Sequence, residues 1–280
     1  MEKKQDVINL ARVIGIVSGK GGVGKTTVTV NLAIALSKFG KRVIAVDCNL
    51  STPHLAYYLG AYKYTTTFND ALLGKANITS ALYHHNSVMF VPASLSLEDL
   101  ISIDVVEIKD HVKKLVNNDM IDFILLDSAP GLGREAVATM DASDEIIYVT
   151  TPIYPMVRDV VKCADVAREF GKKNLGIALN MTGNGRHELA LKDVQGITKI
   201  PVIGQIPFDK NIVNGLAVRK PVMKYKSSSA ASVQFMKMAG LMVGEEYRPS
   251  KARIFSQVFE GVRSYVVPER IKTSDLVEEF

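Results

Sequence analysis

Ser18-Gly19-Lys20-Gly21-Gly22-Val23-Gly24-Lys25-Thr26-Thr27 is the stretch from which the rest of the chain can be read. Gly19, Gly24, Lys25 and Thr26 fall at the spacing G-x-x-x-x-G-K-[ST] of a loop that cradles the phosphates of a nucleoside triphosphate. Backbone N–H groups of such a loop form an anion-binding concavity, and glycine lets the chain approach phosphate oxygens without a Cβ in the way. Lys25 is placed to reach the β- and γ-phosphates, and the Thr26 hydroxyl to bind Mg2+. The flanks agree. Apolar residues 13–17 precede the loop as a buried strand would. Val28, Leu32, Ile34, Ala35, Leu36 and Phe39 follow as a helical stripe that stops at Gly40. A helix N-terminus, with its partial positive charge, is therefore expected directly beneath the phosphates.

The loop holds a second lysine, Lys20, within its glycine run. One lysine is enough to hold the phosphates, and a second charge inside a phosphate loop is badly placed to be idle. The pattern K-G-G-x-G-K-T-T, met here as 20–27, resembles the deviant phosphate loop of the MinD/ParA family. The resemblance implies a P-loop ATPase that binds ATP through residues 19–27 and closes over it as a homodimer. Lys20 would then reach the nucleotide of the other subunit.

Short apolar runs alternate with helical patterns through the rest of the 280 residues. Strands are predicted at 43–47, 88–91, 123–127, 145–150, 175–180 and 202–206, with helices at 99–116, 156–170 and 230–243. Strands separated by helices of this length indicate parallel βαβ crossovers. The expected fold is α/β, a doubly wound and mostly parallel sheet with helices on both faces. One ATPase domain is expected over 1–248, followed by a tail over 249–280. Ligands of such sheets bind at the carboxyl ends of the strands, so the polar residues ending each apolar run are the candidates.

Asp47 ends the second run, in Val46-Asp47-Cys48-Asn49. In the family this is switch I, usually Asp-x-Asp, where the first carboxylate organises the Mg2+ shell and the second positions the attacking water. The chain keeps the first as Asp47 and has Asn49 in the second place. An amide can orient water through its oxygen, but it is a negligible base. Phosphoryl transfer rests mainly on positioning and electrostatics, so slow turnover is expected, with Asp127 or an activating protein partner able to take part. Asp127 closes the run 122–127 as a second metal-shell carboxylate would, and Ser128-Ala129-Pro130-Gly131 resembles the family's switch II. The resemblance further implies that Asn180 reads adenine and that Pro207, Phe208 and Asp209, in an Ile-Pro-x-Asp turn, line the base pocket.

A net charge of +5 permits anionic partners without selecting one. Cys48 and Cys163 are too few for a disulfide framework and have no metal-ligand spacing. With no apolar leader in residues 1–6 and no run long enough to span a bilayer, a cytoplasmic location is expected. Apolar residues at 254, 255, 258, 259, 262, 265 and 266 keep helical spacing within 251–266, with Lys251, Arg253 and Arg263 off the stripe. Docking on the protein's own domain or its dimer mate is favoured, ahead of a peripheral place at the inner membrane face or a protein partner. The function expected is a dimerising, Mg2+-dependent ATPase switch of the MinD type, used in spatial positioning. Two alternatives stand beside it: a ParA-like DNA-partitioning ATPase, against which the scattered basic residues speak, and a nucleotide-binding switch or scaffold with little hydrolysis.

Overall fold

The computed structural model describes residues 11–96, 103–117, 120–183 and 185–249. The chain divides into two units, Met1–Tyr247, which carries every element below, and Arg248–Phe280. The apolar stripe of 251–266 lies outside the described residues. In chain order the elements are β1 (Arg12–Val17), α1 (Lys25–Lys38), β2 (Val43–Cys48), α2 (Leu55–Leu59), α3 (Phe68–Leu72), β3 (Tyr83–His85), β4 (Val88–Val91), α4 (Ile108–Val116) and β5 (Phe123–Ser128). They continue as α5 (Arg134–Ala142), β6 (Glu145–Thr150), α6 (Tyr154–Glu169), β7 (Lys173–Thr182), α7 (Leu191–Thr198), β8 (Val202–Pro207), α8 (Lys210–Ala217), α9 (Val222–Tyr225) and α10 (Ala230–Val243).

The strands form one eight-stranded sheet in the order β3-β4-β2-β5-β1-β6-β7-β8, parallel except for β3. The chain leaves β1 toward β2 on one side and later fills β6 to β8 on the other. The loop after β1 therefore sits where the winding reverses, the place at which such sheets bind ligands. Strands β2 and β5 are buried along their whole length, as expected of a parallel sheet covered on both faces. Their register sets Asp47 directly beside Asp127.

Helix α1 departs from the amphipathic stripe expected of it. Every residue from Thr27 to Leu36 is buried, Thr29 and Asn31 included. The reason is tertiary: α10 packs its Phe235, Met238 and Ala239 into the same apolar cluster as Val28, Leu32 and Leu36, closing the side that would face water. Asn31 is satisfied there, donating to Thr27 O at 2.8 Å and accepting from Met223 N at 3.1 Å. Glycine makes the approach of α10 to the sheet possible, since a Cβ on Gly204 of β8 would lie 2.2 Å from Met238 Sδ.

Two further expectations are corrected. The helix predicted over 99–116 runs only from Ile108 in the described residues, after a 3-10 turn at Val105–Glu107 capped by the Asp104 carboxylate. The three-residue edge strand β3 was not expected. It pairs antiparallel with β4 through a tight turn at Asn86 and Ser87, both at positive φ. A turn of that kind usually advertises itself with glycine, which is missing here.

Because α10 seals α1, truncating its fully buried anchor should be costly. Phe235→Ala is expected to lower stability by about 3–5 kcal/mol in urea unfolding. A loss below about 1 kcal/mol would mean that α10 does not close this face.

Candidate functional site

Loop 18–24 turns the chain from β1 into α1, and its glycines answer to specific neighbours. Gly24, at φ +91°, precedes the first residue of α1, and a Cβ there would lie 2.2 Å from Asn180 Nδ2. A Cβ on Gly19 would lie 2.4 Å from Asp159 Cβ on α6, so Gly19 sets the distance between loop and helix rather than facing the ligand. Gly22 also has positive φ, with open space around it. The first turn of α1 has no acidic residue, so its N–H groups and partial positive charge are free to meet an anion. A cavity of about 430 Å³ opens over this turn, lined by residues 20–27 together with Asn49, Thr52, His54 and Pro130.

Asp127 lies behind Thr26, fully buried. It accepts hydrogen bonds from Thr26 Oγ1 at 2.6 Å and Thr29 Oγ1 at 3.0 Å. Asp47, beside it in the sheet, accepts from the N–H groups of Asn49 (3.1 Å), His54 (3.1 Å) and Leu55 (2.9 Å). Burial raises the Asp127 carboxyl, opposed by the Lys25 charge and by the two threonine hydroxyls. Burial, and then the neighbouring Asp127, push Asp47 up to about 8. Two adjacent buried carboxylates with a hydroxyl between helix and strand form a set of hard oxygen donors. Such a set fits Mg2+, and Thr26, Asp47 and Asp127 are the residues that would hold it.

Asn49 is buried, and its amide closes a turn with Thr52: Nδ2 donates to Thr52 O at 2.6 Å, and Oδ1 accepts from Thr52 Oγ1 at 3.2 Å. Gly131, at φ +79°, donates its N–H to Ser18 O at 2.9 Å, tying the loop after β5 to the phosphate loop. Lys20 is exposed on the cavity rim, and its ammonium has no partner among the described residues.

Asn180, Phe208 and Asp209, expected at the base, each make contacts within the protein. Asn180 is buried and donates its amide to Val23 O at 2.8 Å, bracing the phosphate loop from below. The carboxylate of Asp209 caps α8 through Asn211 N at 2.8 Å and holds Ala231 N of α10 at 3.1 Å. Phe208 is 63% exposed and donates its N–H to Thr182 O. None of Asn180, Pro207, Phe208 and Asp209 lines the cavity. Met181, Ile212, Val213, Leu216 and Tyr58 add a mostly apolar part to the cavity lining. The sequence did not single out these lining residues, although the i, i+4 pair Ile212 and Leu216 on a short helix was a visible signal.

The raised Asp47 gives a pH dependence with a definite sign. Its folded value, about 8, stands above the ordinary 3.8, so the folded protein binds the proton that the unfolded chain releases. Stability contributed by this group is full below pH 4 and is lost as pH rises toward 8. In nucleotide- and metal-free thermal melts, Asp47→Asn should gain on the parent protein as pH rises from 5 to 8.5. A difference that does not change with pH would contradict the assignment.

Comparisons with known proteins agree with this geometry. The ParA family model, described as the NUBPL iron-transfer P-loop NTPase, matches residues 9–243. An uncharacterized ATP-binding protein of Methanocaldococcus jannaschii is 30% identical over 90% of this chain and 97% of its own. The septum site-determining protein MinD of Pyrococcus horikoshii, solved with Mg-ADP, is 34% identical over 83% of this chain and 96% of its own, with a TM-score of 0.80. The MinD of an Aquifex aeolicus MinC:MinD complex is 27% identical over 86% of this chain and 99% of its own, with a TM-score of 0.77. A glycine-rich loop leading into a buried helix, a pair of buried carboxylates beside it and a match over most of the chain lead to one family: this protein is a member of the MinD/ParA P-loop ATPases.

Proposed function

We propose that the protein is an ATP-dependent dimerising switch that hydrolyses ATP slowly and serves spatial positioning in the cytoplasm. The observation that carries this reading is Lys20, exposed on the rim of the phosphate cavity without an internal partner among the described residues. Around the same end of the sheet, the end of β7 and the segments after β5, β6 and β8 present exposed Leu132, Ile153, Tyr154, Met181 and Phe208. A second copy laid across this end would cover that apolar rim and bring its own Lys20 to the phosphates.

Bound Mg2+ would neutralise charge on the β- and γ-phosphates. The chain supplies the rest. Lys25 and the first N–H groups of α1 hold the phosphates, Thr26, Asp47 and Asp127 hold the metal shell, and Asn49 orients water without taking its proton. The Thr52 contacts fix the Asn49 amide, whose Oδ1 keeps a second lone pair for water but takes no proton, which favours low intrinsic turnover. An iron-carrying role is not favoured. The two cysteines are buried in separate apolar clusters, and no group of three or more His, Cys, Asp and Glu side chains placed to hold a metal occurs among the described residues.

Lys25→Ala should abolish Mg-ATP binding in calorimetry, and retained affinity would remove the loop assignment. Lys20→Ala should keep monomer binding but lose the shift to a dimer that a non-hydrolysable ATP analogue produces in size-exclusion chromatography; an unchanged dimer would refute action in trans. Asn49→Asp should raise turnover about tenfold or more if the missing carboxylate limits the rate. Flat turnover would show that another group holds the water.

A further inference from the structure

The two loops that border the phosphate cavity are joined through one side chain that lies outside it. Ser51 sits between Asn49 and Thr52, whose side chains and backbone close on each other. Its hydroxyl donates to Glu135 Oε1, and its backbone N–H donates to Glu135 Oε2 at 3.4 Å. Glu135 belongs to the first turn of α5, which begins directly after the glycine loop of residues 129–133. That loop is itself pinned to Ser18 through Gly131. A single carboxylate thus grips the turn that carries Asn49 and stands on the helix led by the other loop.

From this arrangement we infer that Glu135 is a positioning residue for the hydrolysis proposed above, on which the inference rests. By holding Ser51 it fixes the turn 49–52 over the phosphates and makes the loops 49–54 and 129–133 move as one body. The physical argument is one of freedom. Ser51 and Thr52 are exposed, and Asp47 anchors the N–H of Asn49 and then those of His54 and Leu55, nothing between. Without Glu135, the middle of the loop keeps only its internal Asn49–Thr52 bonds. An amide that must orient a water tolerates little displacement, since small errors in position are costly to rate. Glu135 does not line the cavity, so its effect should fall on turnover and leave affinity alone.

The test compares the full-length protein with Ser51→Ala, Glu135→Ala, Glu135→Gln and the double variant Ser51→Ala/Glu135→Ala. Steady-state Mg-ATP turnover is measured alongside amide hydrogen exchange of residues 49–55 in nucleotide-free protein. Ser51→Ala and Glu135→Ala should each lower kcat about tenfold with KM unchanged within about twofold, and the double variant should be no slower than either. Glu135→Gln, which keeps an acceptor for the Ser51 hydroxyl, should recover most of the rate. Exchange over 50–55 should quicken in Glu135→Ala. Losses that multiply in the double variant, or a loss expressed in KM alone, would overturn the proposal. So would unchanged exchange. An absence of turnover in the parent protein would overturn the ATPase reading instead, while the exchange comparison would still decide whether the two loops are tied.

Discussion

The bond from Thr26 and Thr29 to the buried Asp127 carboxylate holds the site together. It fastens the first turn of α1 to the end of β5, so the helix that lies beneath the phosphates cannot slide along the sheet. The Lys25 charge offsets part of the cost of burying that carboxylate. With helix and strand locked, the glycine loop between β1 and α1 is held at the first turn of the helix, where its residues line the cavity.

The rest of the architecture serves this lock from two sides. On one, α10 closes over α1 so completely that its threonine and asparagine side chains are enclosed with the apolar ones. A helix enclosed on all sides can carry polar groups only where each finds a partner, and Asn31 and Thr29 do. On the other, the parallel register of β2 and β5 brings Asp47 level with Asp127. Burial and their mutual repulsion raise Asp47. A cation between them would remove that repulsion, so the strain of the pair and its capacity to bind metal have the same origin.

Asn49 and Asn180 show how a residue type is repurposed by its surroundings. Both are strand-end amides with donor and acceptor capacity, and in a sequence both look available to a ligand. Asn180 has its amide nitrogen committed to Val23 O, where it supports the phosphate loop. Asn49 has both ends engaged with Thr52, in a turn held from outside by Glu135. The apolar side chains of Met181, Ile212 and Leu216 line the cavity, while the Asp209 carboxylate of the Pro207–Asp209 turn caps α8.

The sequence by itself determined the parallel α/β sheet, the phosphate loop and the two carboxylates. These features are local: a strand, a turn and a helix follow one another within one short segment, and glycine spacing and apolar period record them directly. It also marked Lys20 as a charge with no task inside its own loop. Only the tertiary structure decided that α1 is buried all round, that Asp47 and Asp127 stand side by side, and that Glu135 grips Ser51 from 84 positions away. Those facts depend on which strands become neighbours and which helix covers which, and a contact between distant segments leaves no periodicity in either one. The edge strand β3 and the late start of α4 escaped for a related reason. Short elements bounded by turns without glycine or proline carry too little pattern for their neighbours to confirm.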